Sequence, residues 1–219
     1  MAGPSEKDVT PGGEQYFTAS PRATSRPGTV DLVLDGRTLP LRTDRGVFSA
    51  DRLDPGTRVL LETLPPFGAL PEGALADVGC GYGPIALTLA ARHPDRTVVA
   101  VDVNERARAL CAENARTAGL AVDVRAADDV PAGLRLAAMV SNPPIRVGKA
   151  VLHELLSEWL GRLVEGGEAW LVVQRHLGAD SLADWVGAQG WTVEKVRSKK
   201  GYRVLCVRRP PPPPAPPDS

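Results

Sequence analysis

What this sequence lacks narrows its class before any motif is read. No stretch approaches about 18 consecutive apolar residues, so no membrane-spanning helix is expected. The opening residues, MAGPSEKDVTPGGEQYF, hold no apolar run of the secretory kind, and a cytoplasmic location is the expectation. Cysteine is scarce. Cys80, Cys111 and Cys206 are odd in number and have no metal-ligand spacing, which points to reduced thiols. His93, His153 and His176 are scattered, so no structural metal is expected. Net charge is zero, 26 basic residues against 26 acidic, so the molecule as a whole does not announce a nucleic-acid partner.

What is present suffices for one α/β domain. The chain has 219 residues, 43% of them hydrophobic and 24% charged, which is enough to bury a sizeable core. Residues 1–28 are rich in Gly, Pro, Ser and Thr and read as a flexible leader. The segments 29–34 and 37–41, joined by Asp35-Gly36, read as a hairpin with a primed turn. Asp54-Pro55 opens a helix through Val59, Leu60, Leu61 and Leu64, with Asp as cap and Pro at the first helical position. From residue 73 strands and helices alternate. Strands are expected at 74–78, 97–102, 121–125, 136–140 and 169–173, and helices at 85–92, 104–119, 148–164 and 181–189. A hairpin of 191–196 with 202–207 closes the chain. Such alternation predicts a Rossmann-like, doubly wound, mostly parallel seven-stranded sheet with an antiparallel C-terminal strand and an N-terminal hairpin extension. Residues 29–209 form the domain. Residues 210–219 are a proline-rich tail outside the core.

Three constellations carry chemistry. The first is Asp77-Val78-Gly79-Cys80-Gly81-Tyr82-Gly83, between a strand and a helix. Glycines there let the backbone approach a ligand, and the helix start presents free N–H groups. They recur at every second residue, unlike the spacing of a dinucleotide fingerprint. The competing reading is a tight turn that needs glycine for its own backbone. The second is Asp102-Val103 at the end of the next strand, where a carboxylate can accept from both hydroxyls of a ribose, or simply belong to a loop. Asp128, with Asp129 as rival, ends the third strand, where an acceptor can bind an adenine amine. The third is Ser141-Asn142-Pro143-Pro144-Ile145 after the fourth strand. Two prolines stiffen the chain and hold Asn142 at the sheet edge where open α/β folds bind ligands; a plain strand terminator is the alternative.

Charge is distributed unevenly. Lys195, Arg197, Lys199, Lys200, Arg203, Arg208 and Arg209 follow one another with no acidic residue between them. They read either as a solvated strand edge that resists aggregation or as contacts to phosphates.

With these motifs the sequence resembles the small methyltransferase-domain family that includes the guanine-N2 methyltransferases of small-subunit ribosomal RNA. The resemblance runs from Gln15-Tyr16-Phe17 to Gly201-Tyr202. It is carried further by Phe48-Ser49, Asp54-Pro55-Gly56-Thr57, Asn142 through Lys149, Gln174-Arg175 and Lys199-Lys200-Gly201-Tyr202. It implies S-adenosylmethionine as cofactor, held by Asp77, Gly79, Cys80, Gly81, Gly83, Asp102, Val103, Asp128 and Asn142. It implies methyl transfer to an exocyclic base amine at Asn142, Pro143, Pro144 and Ile145. Arg146, Lys149, Lys199 and Lys200 are the expected RNA contacts, with ribosomal RNA or the assembling small subunit as partner and a monomer or homodimer as the working form.

The sequence departs from the family pattern in two places. Most amino-methylating members carry Phe, Tyr or Trp after Pro-Pro, where this chain has Ile145. The well-characterised ribosomal enzymes also carry a second, cofactor-less copy of the fold, for which 219 residues leave no room. RNA targeting would then rest on the hairpin, the basic C-terminal strands or a partner subunit. Two other functions stay open: methylation of a small molecule or a protein amide by the same Asn-Pro-Pro chemistry, and a non-catalytic scaffold that binds cofactor or RNA.

Overall fold

A computed structural model describes residues 24–68 and 70–209. The expected leader lies mostly outside the described residues, as do Gln15-Tyr16-Phe17 and the proline-rich tail. Nine strands and five helices follow in order: β1 (Pro27–Leu34), β2 (Arg37–Asp44), α1 (Pro55–Leu61), β3 (Ala74–Val78), α2 (Pro84–Arg92), β4 (Val98–Val101), α3 (Glu105–Ala118), β5 (Asp123–Arg125), β6 (Leu136–Ser141), α4 (Lys149–Gly161), β7 (Leu163–Gln174), α5 (Ala179–Ala188), β8 (Thr192–Lys199) and β9 (Tyr202–Arg208).

Seven strands form one sheet in the order β5-β4-β3-β6-β7-β9-β8. β3 through β7 run parallel, and β9 inserts antiparallel between β7 and β8. The strands read as apolar runs because both faces are covered, and alternate residues feed two separate cores. Leu75, Val98, Ala100, Trp170, Val172 and Val204 face one side, under α1, α2 and α3. Ala76, Val99, Val101, Met139, Leu171, Leu205 and Val207 face the other, under α4 and α5.

The hairpin forms its own two-stranded sheet, with Asp35 and Gly36 both in the left-handed region, as a primed turn requires. Its strands are longer than the sequence suggests. Pairing continues from Leu34–Arg37 to Pro27–Asp44, where the Asp44 carboxylate accepts from Ser25 Oγ at 2.8 Å. Asn114 of α3 docks the hairpin on the domain. Its Oδ1 accepts from Arg42 N at 2.8 Å and its Nδ2 donates to Arg42 O at 2.9 Å. A buried edge strand thus finds a side-chain amide in place of a neighbouring strand.

Two helices behave as their caps predict. Asp54 accepts from Thr57 N at 2.8 Å with Pro55 in the first turn, and Asn104 accepts from Arg106 N at 2.9 Å. α3 stops at Gly119, which takes the left-handed conformation of a terminator. α4 corrects the sequence reading. It ends at Gly161, and Leu163 and Val164 belong to β7, where Leu163 pairs with Leu136. The apolar spacing of 148–164 thus mixes a helix stripe (Leu152, Leu156, Trp159, Leu160) with the start of a buried strand, two patterns alike over a few residues. Val151, read as part of the stripe, is 53% exposed.

Leu156 is fully buried on the same helix, so the pair makes a direct test. Leu156→Ala should cost about 2–5 kcal/mol of unfolding free energy in urea titrations, while Val151→Ala should stay within about 0.5 kcal/mol of wild type. Equal effects would show that α4 packs on a different face.

Candidate active site

The chain winds outward from β3 to β4 and β5, then returns to β6 on the other side of β3. Such a reversal leaves a crevice at the carboxyl ends of the two central strands. Both principal motifs open onto it, because the glycine turn follows β3 and Asn142-Pro143-Pro144 follows β6. Ser141 Oγ donates to Val78 O at 2.6 Å and staples the two strand ends together.

The three glycines are glycine for different reasons. Gly79 and Gly81 have φ of +81° and +55°, and a Cβ on either would meet only open space. At Gly83 (φ +99°) a Cβ would lie 2.7 Å from Leu87 Cδ1 and 2.8 Å from Cys111 Sγ, so this position is also closed by packing. The turn is pinned from three directions. Gly79 N and Cys80 N donate to Val101 O at 2.8 and 3.0 Å, Gly81 N to Asp102 Oδ2 at 2.9 Å, and Asn114 Nδ2 donates to Tyr82 O at 2.9 Å. Cys80 is buried beneath it, its thiol raised well above the usual range by a hydrogen bond with the Cys111 thiol and by burial. A thiol so raised is no ready nucleophile, and the residue joins the lining of the cleft.

Asp77 is wholly buried. Its Oδ2 accepts from Ala86 N at 2.9 Å, and its Oδ1 has no partner. Burial pushes its pKa up to about 8, against the Ala86 hydrogen bond and with a smaller push from the Asp102 charge. A buried oxygen with no donor beside a glycine turn favours the neutral acid, and a cationic donor beside it would favour the carboxylate. Asp102, half-buried at the end of β4, accepts from Asn104 N at 2.8 Å as well as from Gly81 N. Burial raises it, and these amide bonds oppose the shift. Each of its oxygens retains a lone pair for a further donor. Val103 is 47% exposed beside it. Asp128 and Asp129 both lie exposed on the single 3-10 turn that follows β5.

Asn142 is held across 88 residues of sequence. Its Nδ2 donates to Asp54 Oδ1 at 2.8 Å and to Thr57 Oγ1 at 2.9 Å. A carboxylate can only accept, so the amide orientation is fixed, leaving Oδ1 without a partner among the described residues. Asp54 therefore caps α1 and aims Asn142 with one carboxylate. This role was missed in the sequence, where Asp54-Pro55-Gly56-Thr57 is legible as a cap and only the fold supplies its second partner. Pro143 O already accepts from Ile145 N at 2.9 Å, which leaves it one lone pair. Ile145 packs against the core beneath α4 and does not line the cleft. Phe48, 45% exposed, does line it, together with Asp54, Thr57, Tyr82 and Asn142.

The basic strands are rebalanced by acids from elsewhere. Lys199 lies 2.7 Å from Glu62 and Lys195 2.6 Å from Asp180; Arg203 also pairs with Asp180, and Arg208 lies 2.7 Å from Glu168. Lys199, an expected RNA contact, is thus an ion-pair partner of α1's C-terminal cap. Lys200, Arg146 and Lys149 are exposed and have no carboxylate partner among the described residues.

Fold and site are those of a Rossmann-like cofactor-binding domain with a polar acceptor at its switch point. Residues 38–206 match the methyltransferase small domain, and the chain belongs to that family. It is 36% identical over 200 residues to the uncharacterized protein YbxB of Bacillus subtilis (strain 168), covering 90% of this chain and 98% of that one. It is 34% identical over 160 residues to the ribosomal RNA small subunit methyltransferase C of Shewanella halifaxensis, covering 70% of this chain and 46% of that protein. In structure it resembles the T. thermophilus 16S rRNA N2-guanine methyltransferase solved with AdoMet and guanosine, with a TM-score of 0.69 and 24% identity over 84% of this chain and 51% of that one. The chain spans about half the length of these two methyltransferases.

Asp77 makes the site's electrostatics measurable. Its ordinary value is 3.8, and folding raises it to about 8. Between those values the unfolded chain releases this proton while the folded chain keeps it. Stability contributed by the protonated form is therefore lost as pH rises through the window, at roughly 1.4 kcal/mol per pH unit for one group. The isosteric Asp77→Asn variant has no such proton. Urea titrations should show wild type losing stability relative to this variant from pH 5 to pH 8; parallel pH profiles would refute the raised pKa.

Proposed function

We propose that this protein is an S-adenosylmethionine-dependent methyltransferase acting on an exocyclic amine of a base, guanine, in small-subunit ribosomal RNA. The observation that carries this reading is the Asn142 amide, with its nitrogen tied to Asp54 and Thr57 and its oxygen left without a partner at the mouth of the cleft.

The chain's own groups fit the cofactor. Asp77 Oδ1 is a buried acceptor lacking a donor, suited to an ammonium group. Gly79 and Gly81 leave open space where a side chain would otherwise stand. Asp102 keeps lone pairs for ribose hydroxyls beyond the two amides it binds. When bound, S-adenosylmethionine supplies a methyl group carried on a sulfonium.

Aromatic amines are poor nucleophiles, because the lone pair is delocalised into the ring. Asn142 Oδ1 accepts one N–H of such an amine, and the spare lone pair of Pro143 O can accept the other, which frees the nitrogen lone pair from the ring. Donation by Asn142 Nδ2 to a carboxylate polarises the amide and makes its oxygen a better acceptor. Neutral acceptors suffice because the proton can depart after transfer. Phe48 offers the flat apolar face that Ile145 does not. A base in a paired region would have to flip, so an unpaired loop is the natural target.

Incubating the protein with methyl-labelled cofactor and RNA from a strain lacking the gene should label one nucleotide, identified by mapping the label. Label on a small molecule or on protein, with none on RNA, would move the reading to those acceptors. The role of Asn142 has a sharper test. It closes β6, while the glycine turn and Asp102 close β3 and β4 and can hold the cofactor without it, so Asn142→Ala should bind cofactor about as well as wild type in calorimetry. Its turnover should fall roughly 10²–10³-fold, the usual cost of one preorganised polar group. Near-normal turnover would remove Asn142 from the mechanism.

A further inference from the structure

We propose that Arg52, Arg175 and Lys200 form a phosphate-binding rim around the cleft, and that the basic strand residues Lys195 and Lys199 take no part in holding RNA. The inference rests on the RNA reading above and selects its contact surface.

The selection comes from pairing. A cation already facing a carboxylate contributes little field at a distance, even though such exposed pairs add little stability. On β8 and β9, Lys195, Arg197, Lys199, Arg203 and Arg208 all face acids contributed by Glu62, Asp180, Glu168 or Glu194. Arg52, Arg175 and Lys200 are exposed and have no carboxylate partner among the described residues. Asp51 precedes Arg52 without pairing to it.

A chain of contacts ties these three to Asn142. Lys200 (φ +51°) and Gly201 (φ +80°) make the tight turn between β8 and β9. Gly201 O accepts from Arg175 N at 2.9 Å, which sets the β7–α5 turn against it. Next in sequence, Tyr202 has its hydroxyl 3.1 Å from Gln174 Nε2. Its ring lies so close to the start of α1 that a Cβ on Gly56 would fall 2.7 Å from Tyr202 Cε1. Beside Gly56 is Asp54, the anchor of Asn142, and two residues earlier is Arg52. Three loops distant in sequence therefore present unpaired cations on the side of the cleft where Asn142 stands. Cations spread over three separate loops suit successive phosphates of a strand better than one small anion.

Binding of a labelled single-stranded RNA, followed by fluorescence anisotropy across a salt titration without cofactor, separates the possibilities. The Arg52→Gln/Arg175→Gln/Lys200→Gln variant should flatten the log–log salt slope by about 0.7 per contact, about 2 in all. Lys195→Gln/Lys199→Gln should keep the wild-type slope. A triple variant with the wild-type slope would overturn the rim while leaving RNA as substrate. So would flattening by the Lys195/Lys199 pair as large as the triple's. If wild type binds RNA without salt dependence, or not at all, both the RNA reading and the rim fall.

Discussion

A strand-to-helix turn buried at the centre of an α/β sheet must satisfy its own backbone while leaving room for a ligand, and the architecture of this protein answers to that constraint. The turn from Gly79 to Gly83 lies beyond the regular ladder of β3 and needs other partners for its polar groups. It borrows acceptors from the end of β4 and a donor from α3. Asn114 serves twice, since the amide that reaches Tyr82 O also completes the edge of β2. The hairpin is consequently attached to the glycine turn through one buried side chain. A conformational change in either would be felt by the other.

The same economy appears at Asp54. Capping a helix needs one acceptor, and orienting Asn142 needs another. One carboxylate oxygen supplies both, so the entry of α1 and the presentation of Asn142 are not independent. Thr57 closes the arrangement by accepting the same amide nitrogen from within the first turn of α1. A short helix of seven residues, weak on its own, is kept in place by its packing against β7 and β9.

Electrostatically, the molecule separates paired from unpaired cations. Zero net charge hides an arrangement in which the cations of the C-terminal strands are matched by acids, while those on the turns beside Asn142 are not. The site itself is different again. Two carboxylates, Asp77 and Asp102, are both raised by burial, in a place where a cationic ligand relieves the cost.

Much of this was legible in the linear chain. Apolar strands alternating with amphipathic helices require a doubly wound sheet, because that is the arrangement that buries both faces. The cap at Asn104, the terminator Gly119 and the primed turn Asp35-Gly36 are local events, decided by residues within a few positions of one another. So is the glycine spacing after β3. What the sequence alone could not determine depends on which distant segments meet. The strip of seven basic residues looked like a single feature until Glu62 and Asp180 arrived from α1 and α5. Ile145 gave no sign in the sequence of its packing against the core under α4, which only the fold supplies. The extent of α4 could not be separated from the start of β7, because a helix stripe and a buried strand are equally apolar over so short a span. Asp54 and Asn142 gave no sign of each other across 88 residues, since hydrogen bonding depends on distance in space, and only the folded sheet brings the start of α1 to the end of β6.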